Sequence, residues 1–229
     1  MFMQVLRAKE LKKTLLCGCI IFQNITFAQK PLAVVMKDRS DSFEKFCEGK
    51  IKEEVSFITI SGGKYETRDS LISKHLVLFE THNYTDTSLE LRHNNTKIKI
   101  FRRAFDTSGV HMTVMNGGGY KNYLAYIRNK PFWGTDGGFP KTCLQKVSVN
   151  FGDCKVAVPD SAITDLFEPN LCYYSGSMKN PYCLTSAYYS QDKSRLYIYM
   201  LNGDGAGGYE VTFVFENKRY IRRVVDYGF

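Results

Sequence analysis

From residue 195 to residue 225, three short runs rich in apolar, aromatic and β-branched residues are separated by polar or glycine-rich stretches, and the middle run alternates with a period of two. The segments "RLYIYML" (195–201), "YEVTFVF" (209–215) and "RYIRRVV" (219–225) therefore read as three consecutive strands. In the middle one, Tyr209, Val211, Phe213 and Phe215 fall on one face, and Glu210, Thr212 and Val214 on the other. "ENK" (216–218) is short enough only for a turn, so the chain ends in an antiparallel meander.

The same punctuation runs through the rest of the chain. "EVSFITI" is followed by the turn "SGGK", and "HLVLFET" by the polar stretch "HNYTDT". In "LELRHNNTKIKIF" a hairpin is expected, with Leu89 and Leu91, then Ile98 and Ile100, flanking the turn residues His93 to Asn95. "VHMTVM" runs into the glycine turn "NGGG", while "KVSVNF" and "KVAV" flank "GD". "YKNYLAYIRN" fits either element, because Tyr120, Tyr123, Leu124 and Ile127 also lie along one helix face.

Helical patterns are few. Pro159 to Phe167 is expected to form a short helix capped by Asp160 or Ser161 and stopped by Pro169. A second short helix is expected in "DSFEKFCEGK" (41–50), capped by Asp41 or Ser42. The fold class that follows is β-rich α+β: mostly antiparallel sheet built from hairpins and a C-terminal meander, with one or two short helices. The glycine-rich "KPFWGTDGGFPK" (130–141) divides residues 29–135 from 136–229 as two β-rich halves, or joins them in one continuous domain.

Composition supports sheet. Fifteen Tyr and sixteen Phe stand against one Trp in 229 residues, and aromatic rings suit pleated surfaces. No uncharged apolar run approaches the roughly 18 residues of a membrane-spanning helix, so an integral membrane protein is not expected.

Residues 11–30, "LKKTLLCGCIIFQNITFAQK", place two lysines before an apolar stretch from Leu15 to Phe22. Thr26 and Ala28 are small residues spaced as in a cleavage site. Residues 1–28 thus read as a secretory signal, cut after Ala28, that delivers the protein to the periplasm or outside the cell. "LCGC" also resembles a lipoprotein signal with Cys19 as the lipidated residue. Only five residues separate Lys13 from Cys19, too few for the apolar core of about 7–15 residues, so lipid anchoring is the lesser alternative.

Export changes how charge and cysteine are read. The formal net charge of the whole chain is +8, and removal of residues 1–28 leaves about +5. An exported protein rarely meets nucleic acid, so a basic surface points instead to an anionic envelope component or an acidic protein. Cys47, Cys143, Cys154, Cys172 and Cys183 remain after cleavage, an odd number for an oxidising compartment. Cys172 and Cys183 bracket a stretch with Ser-Gly-Ser and Asn-Pro turn signals, and are expected to form a disulfide. Cys143 and Cys154 have the same spacing, but the strand between them at about 3.3 Å per residue holds them too far apart to bond.

Candidate chemistry is sparse. "NGDGAGGY" (202–209) carries Gly203, Gly205 and Gly208 at the G-x-G-x-x-G spacing, and Asp226 follows at the distance of a ribose-binding acid. A dinucleotide site needs a helix after the glycines, and "YEVTFVF" is strand. A calcium loop built on Asn202, Asp204 and Glu210 lacks the ligand spacing such loops use. The segment therefore reads as a hairpin turn, and no metal or other cofactor is expected.

The four histidines, His75, His82, His93 and His111, fit no catalytic or metal-binding motif, and no nucleophile elbow is present. Trp133, in a glycine-rich loop beside Asp136, is either a stacking residue for a sugar or partner, or a plug at the edge of the core. Lys97, Lys99, Arg102 and Arg103 form one basic cluster, and Arg219, Arg222 and Arg223 another; both suit an anionic partner or are simply solvated faces.

"VAVPDSAITDLFEPNL", followed by "NGDGAGGYEV" and "RRVVD", resembles a group of small exported bacterial proteins of uncharacterised function. That resemblance spans about the last third of the chain and implies export. The expectation is a non-enzymatic envelope protein that binds another protein, as an inhibitor or immunity-type protein. Trp133, Asp136, Asp204, Arg222 and Arg223 are the candidate binding residues. The alternatives are a module for envelope glycan or a small anionic ligand, and a hydrolase whose site is assembled from distant residues.

Overall fold

The computed structural model of the protein describes residues 32–36, 58–61, 64–67, 76–117, 120–173, 181–203 and 205–227. The proposed export signal, the helix expected over 41–50, Cys47 and Asp204 lie outside them.

Two five-stranded sheets carry most of the strand residues of the described chain. In the first, β5 (Glu80–Thr85), β6 (Ser88–His93), β7 (Thr96–Ala104), β10 (Thr142–Asn150) and β11 (Lys155–Ala157) run in the order β11-β10-β7-β6-β5. In the second, β4 (Val77–Leu78), β14 (Thr185–Tyr189), β15 (Arg195–Asn202), β16 (Tyr209–Glu216) and β17 (Arg219–Tyr227) run β17-β16-β15-β14-β4. All neighbours in both are antiparallel. A three-stranded sheet joins β1 (Leu32–Met36) in parallel to β8 (His111–Gly117), which pairs antiparallel with β9 (Tyr120–Ile127). Two small hairpins complete the set: β2 (Ile58–Ser61) with β3 (Lys64–Thr67), and β12 (Cys172–Tyr173) with β13 (Tyr182–Cys183).

The meander and the hairpin around Asn94 form as the periodicity predicts. Leu91 faces Ile98 and Leu89 faces Ile100 in register. Asn217 and Lys218 both adopt positive φ, the geometry of the two-residue turns that match strand twist. Leu89, Leu91, Ile98, Ile100, Val147 and Val149 from the first sheet share one core with Leu196, Ile198, Met200, Val211, Phe213 and Phe215 from the second. Each such side chain removed from water contributes roughly 1.5–3 kcal/mol before entropy is counted.

One expectation is corrected, and two open segments are assigned. The helix over 159–167 is a single 3-10 turn at Asp160–Ala162. Tertiary hydrogen bonds take the backbone groups a helix would have used: Phe167 N–H donates to Trp133 O at 3.0 Å, and Leu144 N–H to Leu166 O at 3.0 Å. The protein is thus β-rich with nearly no helix among the described residues. The ambiguous "YKNYLAYIRN" is strand β9. The polar stretch after "HLVLFET" belongs to β5 as far as Thr85, an edge strand whose side chains are mostly exposed and so carry no apolar period.

The central strand β16 departs from the simple alternation in another way. Every residue from Tyr209 to Phe215 is buried. The face opposite the shared core is covered too, with Tyr188, Tyr197, Tyr199, Val214 and Val224 forming a second apolar cluster. Burial on both sides explains why "YIYM" and "TFVF" are apolar at nearly every position.

Candidate functional site

Two glycine-rich loops that are 70 residues apart in sequence meet in space. Gly203, between β15 and β16, donates its N–H to Glu168 O at 3.0 Å, and Asn170 Nδ2 donates to Gly203 O at 2.9 Å. A Cβ on Gly207 would lie 2.5 Å from the carbonyl carbon of Thr135, so the loop around 205–207 presses directly on the backbone of 134–138. A Cβ on Gly203 would lie 2.6 Å from Gly207 O. The glycines are thus present for close approach, and β15 and β16 pair antiparallel across the loop with Asn202 opposite Tyr209. The G-x-G-x-x-G spacing is a hairpin connection.

Between these loops lies a cleft of about 480 Å³, lined by Asp136, Phe139, Lys141, Glu168, Asn170 and the glycines 134, 138, 203 and 205. Glu168 holds its wall together. Its carboxylate accepts from the backbone N–H of Lys141, and from the Thr142 hydroxyl at 2.9 Å. Thr135 Oγ1 donates to Gly138 O at 2.8 Å and closes the first loop. Asp136 is left exposed at the rim, and Phe139 is 46% exposed.

Two residues beyond Asn170 the chain enters the β12–β13 hairpin. Cys172 and Cys183 face each other and are disulfide-bonded, as the spacing predicts. A formed disulfide fits an oxidising compartment. Tyr173 and Tyr182 are the next cross-strand pair, 50% and 40% exposed, with ring centroids 5.4 Å apart in an edge-to-face arrangement. Cα spacing of 3.8 Å limits Tyr173 to about 11 Å from Asn170, a residue of the cleft wall. Phe139, Tyr173 and Tyr182 are three of the five large hydrophobic residues exposed among the described residues; Leu78 and Ile221 are the others. None of the three aromatics was singled out as a binding residue by sequence reasoning. The available signal was local: each tyrosine sits directly inside a cysteine of the bridge.

The other sequence candidates divide. Trp133 is only 4% exposed and packs in the shared core, its ring centroid 6.0 Å from that of Tyr209. Its backbone N–H donates to Asp165 O, which draws the residue inward. The indole is a core plug, and the stacking role read for it is withdrawn. Arg223 is also structural: it donates to both carboxylate oxygens of Asp165, at 2.5 and 2.8 Å, and to Ala162 O at 2.9 Å. Arg222 is exposed and, one residue away on the same strand, projects to the opposite face, so the two arginines do not form one anion site. Asp136 alone of the described candidates lines the cleft.

Cys143 is buried, Cys154 is exposed, and neither is bonded. A groove of about 520 Å³ at the β14–β15 turn has polar groups that satisfy one another: Asp192 accepts from Ser190 and Ser194, and Arg195 donates to Glu216 at 2.9 Å. Among the described residues, no group of three or more His, Cys, Asp or Glu is placed to hold a metal ion, and no helix is long and apolar enough to cross a membrane. In comparison with known proteins, the chain matches no family model, no curated protein and no solved structure.

Proposed function

We propose that the protein is exported and non-enzymatic, and that it binds another protein through the end of the molecule that carries the cleft and the disulfide hairpin. The observation behind this reading is the exposed Tyr173–Tyr182 pair, set across the disulfide hairpin three residues along the chain from Asn170, which lines the cleft with Phe139. Tyrosines lose little entropy on burial and combine an apolar ring with a hydroxyl, which suits them to anchor an interface. The disulfide at the base of the hairpin fixes the pair before binding and lowers the ordering cost.

The test is affinity capture with tagged wild-type protein from the cell envelope, run beside a Tyr173→Ser/Tyr182→Ser variant. A single stoichiometric protein held by the wild type and released by the variant is the expected result. Recovery of glycan alone, or of the same protein by both forms, would overturn the reading. One observation favours glycan as a second reading: Phe139, Asp136 and Asn170 offer an aromatic face, a carboxylate and an amide in one cleft, the groups that grip sugar rings and hydroxyls.

A further inference from the structure

The outer face of the first sheet is strongly cationic. Residues paired across an antiparallel sheet share a face, so the register assigns its members. Lys155 of β11, Asn150 of β10, Lys97 of β7 and Arg92 of β6 form one row. Ser148, Lys99 and Glu90 form the next, and Lys146 and Phe101 the one beyond, with Arg103 two residues further along β7. Six cations therefore stand on this face against Glu90 at its centre and Glu80 at its edge.

Glu90 does not neutralise the face; it organises it. Its carboxylate lies 2.6 Å from Arg92 Nε, 3.4 Å from Lys99 Nζ and 3.8 Å from Lys97 Nζ. The Glu90 side chain is 14% exposed, while those of the three cations are 38–48% exposed. The carboxylate is sunk among them and the positive groups stand above it. Lys146, Lys155 and Arg103 are exposed around this centre.

We infer that this face is a docking surface for an acidic protein. The inference goes beyond the reading above and stands on different residues. Charge complementarity selects an anionic occupant. Among the described residues, none of the exposed large hydrophobics lies on these strands, and Phe101, the aromatic residue on this face, is only half-buried among cations, so charge rather than apolar insertion is what the face offers. With Glu90 sunk below them, Arg92, Lys97 and Lys99 present separate cationic groups that single carboxylate side chains of an acidic protein can each reach.

Poly-L-glutamate is the probe, immobilised for biolayer interferometry with the full protein in solution. Heparin and phosphatidylglycerol–phosphatidylcholine vesicles run in parallel as other anions. Poly-L-glutamate is expected to bind at low salt, with affinity falling steeply towards 0.15 M salt, where screening reaches only about 8 Å. Lys97→Glu/Lys99→Glu should weaken binding by about tenfold or more, since reversing charges at a complementary face acts on both approach and affinity. Lys146→Glu/Lys155→Glu, away from Glu90, should do the same without touching the central cluster. Tyr173→Ser/Tyr182→Ser should leave this binding unchanged. No binding of wild type to poly-L-glutamate, unchanged binding by both charge-reversed variants, or tighter binding to heparin or vesicles would each overturn the inference.

Discussion

Gly207 carries the sharpest test of how the two loops are joined. In Gly207→Ala the new methyl group would lie 2.5 Å from Thr135 C, 2.6 Å from Thr135 Cα and 2.7 Å from Asp136 N. Ordinary contact begins at 3.4 Å, and all three neighbours are backbone atoms, so the loops must part by about 0.9 Å. Overpacking of this kind costs about 1–3 kcal/mol. At about 2–4 °C per kcal/mol for a chain of this length, the midpoint of thermal unfolding should fall by roughly 4–8 °C for a cost near 2 kcal/mol. Two neighbouring glycines calibrate the result. Gly205→Ala has open space but a φ of +52°, and should cost only about 1 kcal/mol. Gly138→Ala has open space and no such φ, and should be neutral or stabilising by about 0.4–1 kcal/mol. Urea unfolding followed by fluorescence of Trp133, the single tryptophan, reads all three variants. If Gly207→Ala is within about 0.5 kcal/mol of wild type, or no worse than Gly205→Ala, the close-packed junction is wrong.

Three further outcomes are expected. Cys172→Ser/Cys183→Ser should lower unfolding stability by about 3 kcal/mol through the freed loop, and reducing agent should have the same effect on wild type but none on the variant. Trp133→Ala should cost about 3–5 kcal/mol in denaturant unfolding, the signature of a core residue rather than a surface contact. Glu90 gives a pH signature. Burial pushes its carboxyl up, but hydrogen bonds from Arg92 and Lys99 and the charges of Arg92 and Lys97 outweigh this and hold it below the ordinary glutamate range. A depressed folded-state value contributes stability above the unfolded-state value, about 4.3, that is lost as pH falls through the folded one. The stability gap between wild type and Glu90→Gln should therefore persist at neutral pH and shrink below about pH 4; a gap that widens on acidification would refute the cluster.

Legibility followed the physics of each element. Strands with one wet face announce themselves: "LELRHNNTKIKIF" gives the hairpin and its turn, because apolar side chains must point the same way, and the structure adds the register. β5 was invisible because an edge strand with mostly exposed side chains has no apolar pattern to read. The segment 159–167 has the composition of a capped helix, but Asp160–Ala162 forms only a 3-10 turn without a side-chain cap, because backbone groups further along bond to Trp133 and Leu144, partners that no local signal encodes. At the site, the disulfide was readable from spacing and turn residues. Trp133 and Phe139 share one loop and one kind of side chain, yet one is buried and the other exposed.

The sequence by itself determined the local facts: period-two strands, glycine turns, a bridgeable cysteine pair, and the lack of a helix after the glycine-rich loop. These depend on neighbours in the chain, where backbone sterics and side-chain period act. Only the tertiary structure decided which loops meet, which aromatic of residues 132–139 reaches solvent, and that Arg223 is consumed by Asp165 while lysines from three strands stand on one face. Those outcomes depend on residues tens of positions apart brought within hydrogen-bonding distance. A one-dimensional pattern of polarity carries no record of that proximity.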